Sequence, residues 1–391
     1  MSRLLFVTPY FPPTAGSGVQ RGAKLVKYLV RFGWDVRVVT IDPSAYADRD
    51  EELAREVSGV RVDAVGLSRI PGVEHTILRA LPGMRRALAQ AMREHRPDVV
   101  LATTPDYHWA LVAATARRHG VPFVLDYPDP WTVLPDDFRT FGEQRRLRSR
   151  LKWALAPRVE RRLLARAAFA TFATESMLRE YVLSRSVSAA RAHVLTNGYD
   201  EEDFVGVRSD PPTDRVVVAH VGSFGGRRTP LAAARAVAAA ASRVPGIELS
   251  LIGAGVEPLV DELRLILGSI PLRTPGWVSH SEAVKAMSDA NILWLDAMVH
   301  LRSAATGKLY EYLRAGRPIL ALAHPDSPAA GLVRELGAGR VLSADDATAS
   351  ADAIVALLAD PPAGPDPSAL AALSREAVAE RLSRLLEGVT K

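Results

Sequence analysis

Three segments combine glycine, hydroxyl or basic residues directly before a helical pattern. The first is Ala-Gly-Ser-Gly at residues 15–18, between an apolar run at 3–8 and a helical pattern at 19–32. Glycine lets backbone amides approach an anion closely, and helix N-termini expose such amides. Gly16, Ser17 and Gly18 are therefore candidate anion-binding residues. Gly16, Gly18 and Gly22 depart from the dinucleotide-binding spacing, and a turn without a ligand is the alternative.

The second segment follows the apolar run at 215–221 and contains two adjacent arginines. Gly222 and Ser223 begin it, and Arg227 and Arg228 end it. Small residues permit close approach, and guanidinium groups match the geometry of phosphate oxygens. We interpret this segment as a diphosphate-binding loop, with unpartnered surface arginines as the alternative.

The third segment is Ser-Ala-Ala-Thr-Gly-Lys at residues 303–308, followed by a helical pattern that extends to 315. Thr306 suits a helix N-cap, and Gly307 and Lys308 fall in the first turn, where amide dipoles favour an anion by roughly 0.3–1 kcal/mol. Glu311 lies one turn further on and can accept hydrogen bonds from vicinal hydroxyls. The alternative for Glu311 alone is an electrostatic interaction with the helix dipole.

These segments belong to a chain in which apolar strand patterns alternate with helical patterns. Such alternation predicts parallel sheets covered by helices on both faces, that is, an α/β fold. Periodicity stops at 197–213, where Asp, Gly, Pro and Glu dominate, and we expect a domain boundary there, giving domains at 1–205 and 206–369. The strands are predicted at 3–8, 35–40, 60–65, 98–102, 122–126, 168–173, 193–195, 215–221, 247–252, 291–295, 318–323 and 339–342, and a last helix at 370–388.

Composition excludes several classes of protein. The 391 residues include no cysteine, which excludes disulfides, thiolate metal sites and cysteine nucleophiles. No apolar run reaches 18 residues and no export signal is evident, so we expect a cytoplasmic protein. The net charge of +5 is compatible with an anionic ligand. No nucleic-acid reader motif accompanies the charge, so we expect no nucleic-acid partner.

Several short motifs occur one after another between about residues 4 and 345, and their order is informative. They are Phe-Pro-Pro at 11–13, Gly-Ser-Gly-Val-Gln-Arg at 16–21, Gly-Trp at 33–34, Asp-Pro-Trp-Thr at 129–132, Gly-Ala-Gly at 253–255, Gly-Lys-Leu-Tyr-Glu-Tyr-Leu at 307–313 and Gly-Arg-Pro at 316–318. In these motifs the chain resembles the retaining nucleotide-sugar glycosyltransferases of the GT-B architecture, in particular glycosyltransferase family 4. The resemblance implies two Rossmann-like doubly wound domains facing across a cleft, with the helix at 370–391 packing back on the first.

The resemblance also implies a role for each candidate residue. Glu311 would bind the ribose hydroxyls of a nucleoside diphosphate sugar, and Gly307 and Lys308 would lie at its diphosphate. The remaining donor-binding residues would be Arg227 or Arg228 at the phosphates, Gly253 with Trp277 and Val278 around the base, and Gly16 to Gly18 at the sugar phosphate. No cofactor is expected beyond this co-substrate.

Two departures from the family pattern concern catalysis. Ser303 occupies the position of the first glutamate of the E-x7-E pattern, and the stretch at 126–131 lacks the usual histidine. The implied reaction transfers a sugar to an acceptor hydroxyl with retention and without a metal ion, and the leaving phosphate itself can take the acceptor proton. Asp126 or Asp129 would orient the acceptor or act as base, or would cap a loop. His108 is a further catalytic candidate, with a helix-start role as the alternative.

Two other segments have competing interpretations. Asp48-Arg49-Asp50 matches the metal-binding D-x-D pattern of some sugar transferases, but a capping role before the helical run at 51–57 is favoured. Residues 145–166 form a basic amphipathic pattern that would touch an anionic membrane and lead to a lipid-linked acceptor, or would cover a core with a solvated arginine face.

Other functions remain open on the sequence. A nucleotide-sugar epimerase or pseudo-glycosyltransferase of the same architecture is one alternative, and a nicotinamide-dependent dehydrogenase is another, although its glycine fingerprint is incomplete at both Gly16 and Gly253. A sugar-nucleotide-binding module without turnover is a third. The base, the sugar and the acceptor, whether a small molecule, a polysaccharide or a lipid alcohol, are not determined by the sequence.

Overall fold

The protein is described by a computed structural model that covers residues 1–69, 76–103, 113–133, 147–184, 186–224, 229–297, 302–303 and 305–390. At positions 17, 77 and 147–154 the description is limited to the backbone. The chain forms two compact units. The first contains Met1–Asn197 and Arg375–Lys391, and the second contains Gly198–Ser374.

The first unit is built on a seven-stranded sheet in which all neighbouring strands are parallel. The strand order is β3-β2-β1-β4-β5-β6-β7, so the order reverses between β1 and β4. The strands are β1 (Arg3–Val7), β2 (Asp35–Ile41), β3 (Arg61–Val65), β4 (Val99–Thr103), β5 (Phe123–Tyr127), β6 (Ala170–Phe172) and β7 (Ala192–Val194).

Helices cover both faces of this sheet, because the central strands are apolar on both faces and must be buried on both. One face packs against α3, α4 and α5, and the other against α1, α2 and α13. The helices are α1 (Ser17–Arg31), α2 (Glu51–Glu56), α3 (Thr76–Glu94), α4 (Leu147–Arg166), α5 (Glu175–Leu183) and α13 (Arg375–Thr390). The indole N–H of Trp34, after α1, donates to Ser383 Oγ of α13 at 2.8 Å.

The second unit repeats the architecture with six parallel strands in the order β10-β9-β8-β11-β12-β13. Helices α8, α9 and α10 pack on one face, and α6, α7 and α11 on the other. The strands are β8 (Val216–Val221), β9 (Ile247–Ile252), β10 (Leu272–Gly276), β11 (Ile292–Asp296), β12 (Ile319–Leu322) and β13 (Gly339–Leu342). The helices are α6 (Leu231–Ala240), α7 (Val260–Leu267), α8 (His280–Asp289), α9 (Gly307–Ala315), α10 (Pro328–Glu335), α11 (Ala347–Ala359) and α12 (Pro367–Ala371).

The predicted α/β class is confirmed, and all twelve predicted strands are present within a few residues. Strand β10 was missed, because its sequence Leu-Arg-Thr-Pro-Gly alternates exposed and half-buried residues at a sheet edge and lacks an apolar run. The single helix predicted at 370–388 is wrong. The chain forms α12 there, turns at residues 372–374 and begins α13 at Arg375.

Candidate functional site

Ligands of open parallel sheets bind at the carboxyl ends of the strands, where the strand order reverses. In the second unit the reversal lies between β8 and β11. Gly222 directly follows β8, and the chain that follows β11 leads to α9, which begins at Gly307. The second and third segments predicted from the sequence therefore meet at one point of one sheet.

The side chain of Lys308 lies against the α-carbon of Gly222. A Cβ built on Gly222 would lie 2.5 Å from Nζ and 2.7 Å from Cε of Lys308, so any larger residue would displace this side chain. Gly222 also has a φ of +133°, a backbone conformation that favours glycine. Both constraints explain why residue 222 is glycine. The close approach of Lys308 places its ammonium group at the carboxyl end of β8.

His220 holds the ammonium group of Lys308 in this position. His220 Nδ1 lies 3.0 Å from the carbonyl oxygen of Trp294, which can only accept, so Nδ1 carries the ring proton. In this neutral tautomer Nε2 is an acceptor, and Lys308 Nζ lies 3.0 Å from it. The histidine ring is fully buried and stacks on Phe224, with ring centroids 4.2 Å apart.

The loop after β9 packs directly under the loop after β8. A Cβ on Gly253 would lie 2.6 Å from the carbonyl carbon of Gly222, and the amide of Phe224 donates to the carbonyl of Ala254 at 2.9 Å. The amide of Gly253 in turn donates to the carbonyl of Gly276 at the end of β10. These contacts connect the carboxyl ends of β8, β9 and β10.

Trp277 and Val278 follow β10 at the same edge of the sheet. The side chain of Trp277 is 59% exposed, which leaves an aromatic face available to a planar ligand. Val278 is partly buried and packs against the core of the second unit. Ser223, between Gly222 and Phe224, is half-buried.

The N-terminus of α9 has a polar group that no described residue satisfies. Thr306 occupies the N-cap position with extended backbone, but its side chain makes no capping hydrogen bond. Its Oγ1 atom is buried and has no hydrogen-bond partner among the described residues. The first turn of α9 contains no acidic residue, and Gly307 leaves its surface open. An anion would complement this helix end.

Glu311 lies one turn into α9, with its side chain 20% exposed. His280, the first residue of α8, has Nε2 3.0 Å from Asp203 Oδ2 and 4.0 Å from Glu311 Oε1. Tyr312, which follows Glu311, contacts β8: its hydroxyl accepts from the amide of Val221 at 2.7 Å and donates to the carbonyl of the same residue at 3.2 Å. Tyr312 thus joins α9 to the last residue of β8.

In the first unit, the predicted loop between β1 and α1 is two residues shorter at its C-terminal end, because Ser17 and Gly18 belong to the helix. Gly16 is the N-cap of α1, with a φ of +126°, and the helix begins at Ser17. Gly18 lies in the first turn, 3.8 Å from Tyr10 when a Cβ is added. No side-chain hydrogen bond caps this helix end.

Asp126 does not have the geometry of an acid or base. It is fully buried, and its two oxygens accept from Arg21 Nε at 2.8 Å and Arg21 Nη2 at 2.7 Å. Thr103 and Thr171 on the neighbouring strands donate to the same carboxylate. Because protein donors occupy both oxygens, Asp126 is a structural anion that binds Arg21.

Asp129, by contrast, is exposed, in the turn after β5. The residues that follow it are anchored: the amide of Trp131 donates to the hydroxyl of Tyr181 at 3.0 Å, and the hydroxyl of Thr132 donates to Glu160. Of the two aspartates predicted for catalysis, Asp129 is the exposed residue.

Three predicted residues lie outside the described residues, namely His108, Arg227 and Arg228. Asp50 caps α2, with its Oδ1 accepting from the amide of Leu53 at 2.9 Å. In α4, Leu163 is buried and Leu155 is 47% exposed, so the leucine stripe is not uniformly covered. Membrane contact through 145–166 stays a prediction. Among the described residues, no helix has the length and apolar character needed to cross a bilayer.

Sequence reasoning missed the residues that hold the predicted ones in place. His220 is a polar residue inside a buried apolar strand, a signal that could have identified it as a member of a polar network. Arg21 and Glu160 lie on helices, where a charged residue is usually exposed. Their burial could not be inferred from local sequence.

Comparisons with known proteins agree with this fold. Residues 17–198 match a family model described as a glycosyl transferase 4-like domain. A glycosyltransferase from Rickettsia africae is 12% identical with a TM-score of 0.70, over 100% of this chain and 99% of that one. HepE from Anabaena, solved with UDP and glucose, is 15% identical with a TM-score of 0.62, over 100% and 97%.

Epimerases share the fold as well. UDP-GlcNAc 2-epimerase from Neisseria meningitidis, solved with UDP-GlcNAc, is 14% identical with a TM-score of 0.58, over 99% of both chains. No curated protein matches the sequence significantly.

The two doubly wound units and these neighbours define the class of the protein, which has the GT-B fold. Residues 17–198, which match the glycosyl transferase 4-like family model, lie almost entirely in the first unit. The predicted resemblance is confirmed for the GT-B fold and for the glycosyl transferase 4-like match at residues 17–198.

Proposed function

We propose that the protein is a glycosyltransferase that moves a sugar from a nucleoside diphosphate sugar to an acceptor hydroxyl with retention of configuration. The second unit binds the donor, and the first unit binds the acceptor. The observation that carries this proposal is the position of Lys308, whose ammonium group lies on Gly222 beside the open N-terminus of α9. This arrangement fits a diphosphate.

The chemistry requires stabilisation of the departing diphosphate. Its negative charge grows as the glycosidic bond breaks, and a fixed ammonium group and helix amides stabilise that charge without rearranging. Lys308 is fixed by His220, and the amides of the first turn of α9 are fixed by the helix. Positive charge from the protein therefore replaces a metal ion in the proposed mechanism, and a phosphate oxygen of the leaving group takes the acceptor proton.

The rest of the donor is bound by neighbours of Lys308. Glu311 accepts hydrogen bonds from the ribose hydroxyls, one helical turn from the phosphates. Trp277 and Val278 contact the base, for which the exposed indole offers a stacking surface. The hydroxyl of Thr306, which lacks a partner among the described residues, donates to a phosphate oxygen.

In the first unit, Gly16, Ser17 and Gly18 bind the sugar or its phosphate through the start of α1. Asp129 orients the acceptor hydroxyl, since it is an exposed residue directly beyond the carboxyl end of β5. Asp126 has no direct part, because Arg21 and two threonines occupy it. The acceptor is a small molecule, a polysaccharide or a lipid-linked alcohol.

The test is calorimetric binding of UDP-, GDP-, ADP- and dTDP-glucose to the wild type and to Lys308→Ala and Glu311→Ala. One donor is expected to bind, and each substitution is expected to weaken it about tenfold or more, since each removes a charge-assisted hydrogen bond. Lys285→Ala and Glu335→Ala are matched controls, because both residues are exposed in the same unit. Unchanged donor affinity in Lys308→Ala would rule out the proposed site.

An epimerase is the second candidate, because an epimerase of the same fold aligns with 99% of the chain at a TM-score of 0.58. The two functions differ in their need for an acceptor. Conversion of the bound sugar nucleotide to its epimer without any added alcohol, followed by NMR, identifies an epimerase. Release of the nucleoside diphosphate that depends on an added alcohol identifies a transferase.

A further inference from the structure

Glu160 is a buried acidic residue that the mechanism above does not use. It lies on α4 and is fully buried, with Ala156 and Leu164, one turn away on either side, also buried. A buried carboxylate is costly unless hydrogen bonds satisfy it. Its hydrogen bonds therefore indicate what it does.

The partners of Glu160 come from three other elements. Oε1 accepts from the hydroxyl of Tyr181 on α5 at 2.8 Å, and Oε2 accepts from the hydroxyl of Thr132. The hydroxyl of Tyr127, the last residue of β5, and the amide of Thr132 also act on Glu160, because both lower its pKa. The titratable groups that face Glu160 among the described residues are thus Tyr127 and Tyr181.

These bonds converge on residues 128–132, here called the 128–132 loop. Tyr181 donates to Glu160 and accepts the amide N–H of Trp131 at 3.0 Å, so a single hydroxyl links the carboxylate to the loop backbone. Trp131 and Thr132 are 7% and 5% exposed, whereas Asp129 in the same loop is exposed. The loop has a fixed C-terminal half and an accessible acidic residue.

We propose that Glu160 is a positioning residue that holds the 128–132 loop, through Thr132 and Tyr181, and thereby fixes Asp129 at the carboxyl end of β5 for the acceptor. The assignment of Asp129 to the acceptor rests on the function proposed above, but the loop anchor does not. Glu160 touches no substrate in this proposal.

The protonation state of Glu160 determines how well it can hold the loop. Burial raises the pKa of Glu160 to about 7, and burial raises the pKa values of Tyr127 and Tyr181 well above their usual value, so both phenols stay protonated donors. As a carboxylate, Glu160 accepts from every hydroxyl around it. As a carboxylic acid, it must donate one proton, and one hydroxyl must reverse its bond.

The experiment measures hydrogen exchange of the 128–132 loop by mass spectrometry in Glu160→Leu, Glu160→Gln, Tyr181→Phe and Leu163→Ala. Glu160→Leu and Tyr181→Phe are expected to speed loop exchange about tenfold or more, because they leave buried loop groups without partners. Glu160→Gln retains an acceptor oxygen and should stay close to wild type. Leu163→Ala creates a cavity in the same helix and should leave the loop unchanged.

Turnover separates positioning from general stability. With whichever of UDP-, GDP-, ADP- or dTDP-glucose binds, Tyr181→Phe should lower the rate of nucleoside diphosphate release and leave the donor Kd unchanged, and Glu160→Gln should restore most of the rate lost in Glu160→Leu.

If hydrogen exchange of the 128–132 loop rises equally in Leu163→Ala and Tyr181→Phe, the proposal that Glu160 and Tyr181 hold this loop is overturned. Because this readout needs no sugar nucleotide, it remains decisive if Glu160→Leu does not fold or if no donor binds. Failure of the donor experiment with Lys308 would refute the proposed function and leave the loop anchor standing.

Discussion

Replacement of Arg21 by methionine is expected to destabilise the first unit strongly. The side chains of Arg21 and Asp126 are 4% and 0% exposed, and they form a bidentate pair. Arg21 also donates to the carbonyls of Leu195 and Thr196 at 2.8 and 2.9 Å. Methionine fills a similar volume without a charge, so the variant leaves a buried carboxylate and two carbonyls without their donor.

The expected cost follows from this burial. Removing one partner of a buried ion pair typically costs about 3–5 kcal/mol, because the remaining charge is uncompensated. The double variant Arg21→Met with Asp126→Leu should recover part of this loss, since it removes the second charge as well. Arg3→Met is the matched control, because Arg3 and Asp98 are 3.9 Å apart with side chains 40% and 37% exposed. Such a pair contributes less than about 1 kcal/mol.

Urea denaturation combined with hydrogen exchange of peptides from β5 and β7 measures the effect in the first unit, since two units need not unfold together. The reasoning is refuted if Arg21→Met costs no more than Arg3→Met, or if the double variant shows the sum of the single losses. The same variants test the role of Asp126. If its carboxylate is purely structural, replacing it should lower the free energy of unfolding, and turnover should fall only as far as the first unit unfolds.

Three further predictions concern other parts of the chain. Burial raises the pKa of Glu160 from 4.5 to about 7. The contribution of this shift to the free energy of unfolding is therefore fully present below pH 4.5 and is lost as the pH rises through 7. Relative to Glu160→Gln, the wild type should therefore lose about 2–3 kcal/mol of unfolding free energy between pH 5 and pH 8. A difference in unfolding free energy between the two proteins that does not change with pH would contradict this. Gly222→Ala should cost about 1–3 kcal/mol because of its φ of +133°, and should also weaken donor binding by displacing Lys308, which calorimetry with Lys308→Ala as reference can measure. Tyr312→Phe should lower thermal stability by about 1–2 kcal/mol through loss of its bonds to Val221, and an unchanged melting temperature would show that these bonds contribute nothing.

Much of the fold was predictable because it is encoded in local patterns. The run 99–102, for example, is apolar and buried throughout, as expected for a strand inside a parallel sheet with helices on both faces. Strand β10 lacks this signal because an edge strand with a proline need not be apolar. The split between α12 and α13 was missed because apolar positions continue through both.

The sequence by itself identified the segments that begin α1 and α9, because the conformational freedom of glycine and the charge of lysine are properties of the residues themselves. Tertiary structure decided which of them meet. Strand order brings Gly222 beside Lys308, although the two are far apart in the chain. It also gives His220 its tautomer and places Arg21 on Asp126. Local periodicity indicates which apolar faces of a helix or strand are buried, whereas the partners of a buried polar residue depend on contacts between distant residues, which periodicity does not contain.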